Sequence, residues 1–319
     1  MKSFKRGVLF AAAITLGSVA LTGCGGQSLG SAPSASGSAG AGSFVNKAPS
    51  GDLAASFIEK VAVDPALAAR VSDTMKTDGL KIAAAEGYPP MEMFDTDGKT
   101  MIGVDMSLAR AMGNLLGIEA KITNSDVSGM MPGVVSGRYD VLLSGFNDTA
   151  ERREKVSFVD YAKSSGSIMV AKGNPEGIKG PADLCGETMA VLDNGYYMQL
   201  AETFSKDCEA KGEKAIKILG FANDPEALLQ VQNGRAVAGL NDYPVAVFRA
   251  KESNGALEAI EIPGSSLFGI AIDPKNEELV KLIQDAMNKL IADGTYSEIL
   301  GAWGLEGMAL PEATVNQGK

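Results

Sequence analysis

Short apolar runs with the character of β-strands alternate with helix-like segments along most of this chain. Strands are predicted at residues 81–85, 119–122, 141–144, 167–171, 188–192, 216–219, 237–240 and 268–272. Alternation of this kind builds sheets whose strands are mostly parallel and whose faces are covered by helices, so the pattern predicts an α/β fold. The 319 residues are enough for one or two domains with apolar cores.

Residues 144–152 follow one of these strands and end on an arginine in an unusual place. Thr149 is a suitable N-cap and would put Arg152 in the first turn of a helix. A cation there opposes the helix dipole, so we expect the guanidinium, with backbone N–H groups around Asn147, to bind a small carboxylate. The alternative is a surface arginine paired with Glu151 or Asp160.

The N-terminus has the features of an export signal. Basic residues within the first six precede an apolar stretch at 8–21 and a Leu-Thr-Gly-Cys sequence that ends at Cys24, which predicts a lipoprotein signal peptide over residues 1–23. The stretch is too short to be expected to remain as a membrane-spanning helix. An ordinary secretory signal followed by an unrelated cysteine is the alternative. Residues 24–51 are mostly Gly, Ser and Ala and predict a flexible tether.

Charge and composition exclude several classes of function. The chain has 39 acidic and 29 basic residues and a net charge of −10, which argues against nucleic acid or an anionic membrane surface as a partner. It contains no histidine, so Ser-His and Cys-His catalysis and histidine-ligated metal sites are excluded. Neither a cofactor nor a metal is expected.

Several motifs occur in a characteristic order. They occupy residues 80–90, 102–111, 131–140, 144–161, 182–188, 229–242, 268–272 and 292–304. No single motif is diagnostic, but together the set resembles the family 3 extracellular solute-binding proteins, the polar amino-acid receptors of ABC importers.

The resemblance implies a two-lobed, type II periplasmic-binding-protein-like fold with a two-strand hinge. The expected organisation is an N-terminal helical extension at 52–79, a first lobe at 80–165 and 266–310, a second lobe at 166–265 and a tail at 311–319. Gly166 and Gly264 lie where the hinge would cross. A ligand would bind between the lobes, and their closure over it would be the mechanical event.

The resemblance also assigns the cysteines. It implies cleavage before Cys24 and attachment of lipid to its sulfur, which would anchor the protein to the outer face of the cell membrane. Cys185 and Cys208 then remain, and in an exported chain a disulfide between them is expected. Two unpaired buried thiols are the alternative.

An α-amino acid presents a carboxylate and an ammonium group, so its receptor needs a cation and an anion. The candidates are Arg152 and Asp242, the latter matching the family's ammonium-binding carboxylate after the apolar run 237–240. Taken alone, an aspartate in this position is more often a helix N-cap, here before Tyr243 and Pro244. The two charges are expected on opposite lobes, where a zwitterion can bridge the cleft and favour its closure.

Five further residues of the first lobe are predicted to contact the ligand. Tyr88 matches the aromatic residue that lies against the ligand's side chain, although it would also pack over the following turn. Glu86 is a candidate acceptor for that side chain. Ser144 and Gly145 would supply backbone contacts, and Asn147 replaces the usual serine or threonine.

Departures from the family pattern bear on the choice of solute. In the second lobe the usual threonine is missing, and a backbone N–H of Gly195 or Tyr196 would replace its contact. Receptors for basic amino acids often carry an aspartate where this chain has Ala85. The sequence therefore favours a neutral polar or aromatic amino acid.

Two main functions follow from the sequence. The first is a monomeric lipoprotein that captures an amino acid and delivers it to the permease subunits of an ABC importer, without enzymatic activity. The second is an exported enzyme of the cyclohexadienyl or arogenate dehydratase kind, in which Glu86 would protonate a leaving hydroxyl. A sensor module is a third possibility, but it would need a separate signalling partner.

Overall fold

The computed structural model describes residues 45–318 and has an α/β architecture. Its strands are β1 (Leu80–Ala84), β2 (Met93–Phe94), β3 (Met101–Ile102), β4 (Ala120–Asn124), β5 (Val141–Leu142), β6 (Ser157–Ala171), β7 (Thr188–Leu192), β8 (Lys217–Phe221), β9 (Ala238–Asp242), β10 (Leu257–Ile272) and β11 (Ala309–Val315). Its helices are α1 (Ala55–Ile58), α2 (Pro65–Ala68), α3 (Asp73–Asp78), α4 (Val104–Leu116), α5 (Val127–Val135), α6 (Ala150–Arg153), α7 (Tyr196–Ala210), α8 (Asp224–Gln232), α9 (Tyr243–Glu252), α10 (Glu277–Ala292) and α11 (Thr295–Ala302). Short 3-10 turns lie at Pro181–Leu184 and Glu306–Met308.

The main sheet has the strand order β4-β1-β5-β10-β6-β9-β7-β8, with β11 beside β6. Its two ends are parallel, because β1 pairs with β4 and β5, and β7 pairs with β8 and β9. The pairs in the middle are antiparallel. This arrangement of two parallel ends on a pair of central strands is the predicted two-lobed α/β fold.

The strands β6 and β10 run through both lobes. They pair from Ser157–Ile272 at one end to Ala171–Leu257 at the other, with a register shift between Ile262 and Ser266. The predicted hinge glycine Gly264 lies inside that shift with φ of 140°, a value that favours glycine. The sequence predicts only the apolar halves of these strands, since serines and glycines hide the pattern where the lobes meet.

Each lobe has its own apolar core. On the β1 side, α4, α10 and α11 pack over the sheet, and Ile299, Leu300 and Trp303 are buried there. On the β7 side, a second cluster forms between the sheet and α7 and includes Ile168 and Leu240.

The predicted helical extension is present as α1, α2 and α3. Asp64 caps the start of α2: its carboxylate accepts hydrogen bonds from the N–H groups of Ala66 and Leu67, and Pro65 occupies the first helical position. Before α1, Leu53 is 60% exposed and Ala54 is buried.

The chain is ordered further towards both ends than the sequence predicts. The tether was expected to extend to residue 51, but the buried Asn46 side chain donates to the carbonyl of Ile118 at 2.9 Å and accepts from the N–H of Ala120 at 2.8 Å. The predicted tail at 311–319 is in large part β11, which pairs with β6. In both places a few specific hydrogen bonds, which composition does not reveal, fix the chain.

Cys185 and Cys208 form the predicted disulfide, with an Sγ–Sγ distance of 2.02 Å. It joins the segment before β7 to α7, so both of its ends lie in the β7 lobe. The predicted signal peptide and Cys24 lie outside the described residues. Between residues 45 and 318, none of the helices has the length and hydropathy needed to cross a bilayer.

Replacing both Cys185 and Cys208 by serine should lower the free energy of unfolding by about 3 kcal/mol, because the cross-link restricts the unfolded chain. Urea denaturation of the full chain measures the change. Reducing agent should lower the midpoint of the wild type to that of the variant and leave the variant unchanged. An unaltered midpoint in the variant would contradict the expected contribution.

Candidate functional site

The carboxyl ends of β1, β5, β7 and β9 meet the amino ends of α6, α7 and α8 at one cleft. Loops at these positions are where open α/β folds bind their ligands. The space between the walls is about 660 Å³, counted to its opening to solvent. The predicted ligand-binding residues that line it are Glu86, Tyr88, Ser144, Gly145, Asn147, Arg152, Gly195 and Tyr196. Asp242 lies directly behind this surface, beside the lining residue Asn241.

Arg152 is held in the cleft by its own segment. As predicted, the Thr149 hydroxyl caps α6 by accepting from the Arg152 N–H at 3.3 Å. The guanidinium lies 3.7 Å from the centre of the Phe146 ring, and its Nη1 donates to the Asn147 carbonyl at 2.9 Å. Burial lowers the pKa of Arg152 to about 10, against the opposing effect of Asp242, so the group stays charged at neutral pH.

The surface ion pairs considered for Arg152 do not form. Glu151 accepts from the Gln199 amide at 2.6 Å, and Asp160 accepts from the Gln317 N–H at 2.9 Å. None of the ion pairs in the described part of the chain includes Arg152. Its positive charge is therefore positioned by a backbone carbonyl and an aromatic face.

Asp242 is fully buried at the end of β9. It stands at the N-cap position of α9, but its side chain makes no capping hydrogen bond. The carboxylate accepts instead from Tyr197 Oη at 2.7 Å, Ser164 Oγ at 3.2 Å, Asn147 Nδ2 at 3.3 Å and the Tyr88 hydroxyl. Burial raises its pKa to about 6 in spite of these donors.

Tyr88 reaches across the cleft from the loop after β1 to Asp242 at the end of β9. Gly145 makes this reach possible: its φ is 50°, and a Cβ there would lie 3.2 Å from two atoms of the Tyr88 ring. The Gly145 N–H does not face the cleft as predicted, because it donates to Asp105 Oδ2 at 2.6 Å. Gly145 therefore contributes space for an aromatic ring.

A buried carboxyl pair behind Ser144 was not identified from the sequence. Ser144 Oγ donates to Glu92 Oε1 at 2.6 Å, and Tyr161 Oη donates to Asp105 Oδ1 at 2.6 Å. Burial and the neighbouring Asp105 raise the pKa of Glu92 well above its usual value. The sequence does contain a signal for this pair, since Glu92 and Asp105 are each a single acidic residue between apolar neighbours.

The β7 lobe supplies two tyrosines and an acid to the cleft. Gly195 is the N-cap of α7, and Tyr196 packs edge to face on Tyr197 with ring centres 5.0 Å apart. Asp224, at the start of α8, also lines the cleft and was missed because it is typical of an N-terminal helical turn. Burial raises its pKa to about 7, against the lowering effect of Arg249.

Further hydrogen bonds cross the cleft beside the one from Tyr88. Arg249 of α9 donates from Nη2 to the carbonyl of Gly87, in the loop after β1. At another point Gln199 of α7 donates to Glu151 of α6 at 2.6 Å. Glu86 remains exposed at the mouth of the cleft. The two walls are thus in direct contact at several points of the cleft.

Residues 80–306 match the model of the bacterial extracellular solute-binding proteins, family 3. The match covers most of the chain, and the protein belongs to this family. Its members are extracytoplasmic solute-binding proteins.

The relatives and solved structures agree with this assignment. The arginine-binding protein ArgT of Corynebacterium glutamicum is 33% identical over 268 residues, which cover 81% of this chain and 86% of that protein. The L-cystine-binding protein TcyJ of Escherichia coli is 28% identical, with 72% of this chain and 84% of that protein covered. An ancestral arginine-binding protein bound to arginine superposes with a TM-score of 0.66 at 30% identity, with coverage of 70% and 97%. Both natural relatives are named for binding a solute and are not enzymes, and this chain is likewise a binding protein.

The buried carboxyls predict how stability depends on pH. Burial raises the pKa of Asp160 and Asp224 to about 7 and that of Asp242 to about 6, from 3.8. Between these values the folded chain holds more protons than the unfolded chain, so the free energy of unfolding should increase as the pH is lowered from about 8 to about 5.5. Urea midpoints of the full chain across this range measure the effect. Asp224→Asn should flatten the dependence, and a midpoint that rises with pH would contradict it.

Proposed function

We propose that this protein captures an α-amino acid between its lobes and delivers it to the permease of an ABC importer. The observation that carries the proposal is the pair of opposite charges in the cleft, with half-buried Arg152 on one wall and fully buried Asp242 on the other. An amino acid has the complementary charges at a fixed short separation. We assign residues 80–165 and 266–310 to one lobe and 166–265 to the other, so that the solute bridges them.

Arg152 binds the solute's carboxylate in this proposal. Its guanidinium is already oriented by the Asn147 carbonyl and by Phe146, which leaves donors of the planar fork for two carboxylate oxygens. Backbone N–H groups at the start of α7, near Gly195 and Tyr196, add donors from the other lobe. A carboxylate held from both sides favours the closed arrangement.

Asp242 binds the ammonium group. The donors from Tyr197 and Ser164 stabilise its ionised form, which the ammonium requires. Because the pKa of Asp242 is about 6, protonation removes the negative charge at lower pH, and amino-acid binding is expected to weaken as the pH falls through that value.

We propose a basic amino acid, L-arginine first, as the solute. The cleft has more acids than the sequence indicated: exposed Glu86 at the mouth, and Glu92 and Asp224 in the walls. Glu92 Oε2 has no hydrogen-bond partner within residues 45–318, and Asp224 Oδ2 has only the Arg249 guanidinium, with Nε at 3.5 Å. A guanidinium has five N–H donors for such acceptors, and a nearby cation would favour the ionised form of Asp224. The arginine-binding relative and the arginine-bound ancestral protein support this choice over the neutral solutes that Ala85 favours.

We further propose that lipid on Cys24 anchors the protein to the outer face of the cell membrane and that it acts as a monomer. The lipobox and the glycine- and serine-rich residues after it support the anchor. Delivery to a permease is supported by a similar protein of Escherichia coli, the ABC transporter arginine-binding protein 1, which is 25% identical.

Arg152→Ala should abolish amino-acid binding, with a loss of at least about a hundredfold in affinity, because a charge-assisted bidentate contact disappears. Arg153→Ala is the matched control: Arg153 is the adjacent arginine, but it pairs with Asp148 at 2.7 Å and with the Gly318 carbonyl, away from the cleft. Titration calorimetry on both variants measures the difference. Near-native affinity in Arg152→Ala would refute the assigned role.

A thermal-shift screen of the full chain against the twenty amino acids and prephenate tests the function itself. A solute at about a hundred times its Kd adds about 2.7 kcal/mol to the free energy of unfolding. We expect the largest shift with L-arginine, a smaller one with L-lysine and none with prephenate. A shift with neutral amino acids alone would support the neutral solute that Ala85 favours and contradict the choice of arginine. No shift with any amino acid would overturn the proposed function.

A further inference from the structure

The Asp242 carboxylate is already fully engaged by protein donors. Its Oδ1 accepts from Tyr197, Ser164 and Asn147, and its Oδ2 accepts from Tyr88. The residue has no exposed surface. Because these donors enclose the carboxylate completely, an ammonium group can reach Asp242 only when one of them moves away.

Of the four donors, Tyr88 is the one that can be displaced at least cost to the fold. Asn147, Ser164 and Tyr197 are buried, and Ser164 lies within the long strand β6. Tyr88 is half-buried, lies in the loop after β1 and alone covers Oδ2. Its hydroxyl therefore occupies the accessible side of the carboxylate.

The character of the Tyr88 hydroxyl matches that of an ammonium N–H. Burial and the charge of Asp242 raise the pKa of Tyr88 well above its usual value, so the phenol is a neutral hydrogen-bond donor throughout the physiological range. Like the ammonium group of a solute, it comes to Asp242 from across the cleft.

We propose that, in the protein without solute, the Tyr88 hydroxyl occupies the position on Asp242 where the solute's ammonium group binds. The ammonium group must displace this hydroxyl in order to bind. The inference rests on the function proposed above. Tyr88 then sets both affinity and specificity. A solute with an α-ammonium group replaces a neutral donor by a charged one, whereas an analogue without that group cannot displace the hydroxyl and gains nothing from Asp242.

Tyr88→Phe tests the proposal, since it removes the hydroxyl and keeps the ring that lies on Gly145. Tyr197→Phe is the matched control. It also removes a phenol that donates to Asp242, but Tyr197 lies on the same lobe as Asp242 and not across the cleft. The ligands are L-arginine and 5-guanidinopentanoate, which is arginine without its amino group. Calorimetric titration of the full chain gives the Kd of each pair, and a melting curve establishes that each variant is folded.

In Tyr88→Phe we expect the Kd for arginine to fall about tenfold, as hydrogen bonds to charged groups suggest, while the Kd for 5-guanidinopentanoate stays unchanged. The preference for the amino acid over its analogue should rise by the same factor. Tyr197→Phe should weaken arginine binding instead. A purely structural role for Tyr88 would not improve that preference.

Three results would overturn the inference. Arginine binding could weaken in Tyr88→Phe, it could stay unchanged in Tyr88→Phe, or it could become tighter by the same factor in Tyr88→Phe and Tyr197→Phe. Failure of the proposed function is seen separately, because wild-type protein would then bind no amino acid at all in the screen, before any variant is compared.

Discussion

The antiparallel pairing of β6 with β10 is the contact on which the rest of the structure depends. These two strands carry the chain from the β1 lobe to the β7 lobe and back, and each lobe builds its parallel strands outward from them. Asp242 is positioned by this pair, since β9 pairs with β6 and sets Asp242 opposite Gly166. Arg152 is positioned by the segment that leads into β6. The two charges of the cleft are therefore held by the strands that join the lobes.

The buried charged groups of the cleft are stabilised mainly by hydrogen bonds, and few of them form ion pairs. Asp242 is surrounded by hydroxyl and amide donors, and Asp105 by a phenol and a backbone N–H. Arg152 lies on an aromatic ring and a carbonyl. Donors of this kind stabilise a charge without neutralising it, so a zwitterion that enters the cleft meets two unneutralised charges of opposite sign.

The alternation of apolar runs predicted an α/β fold, and Arg152 was singled out because it follows an apolar strand and an N-cap within a few residues. The two lobes and the role of Asp242 were predicted from the family resemblance. What the sequence did not predict depends on contacts between distant segments. Glu92 meets Asp105 and Ser144 only in the folded lobe, and Asn46 is fixed by the far end of α4. The lengths of β6 and β10 were underestimated because polar residues occupy the middle of both strands, where the apolar signal of a core is absent.

Both ends of the described chain pack on the same lobe. Asn46 docks beside α4, and β11 lies along the first half of β6, on the edge opposite β10. Within residues 45–318, the β7 lobe is joined to the remainder through the two central strands and the contacts between the lobes. In the proposed lipid-anchored protein, the anchor would therefore hold the β1 lobe, and closure over a solute would move the β7 lobe, which its disulfide stiffens internally.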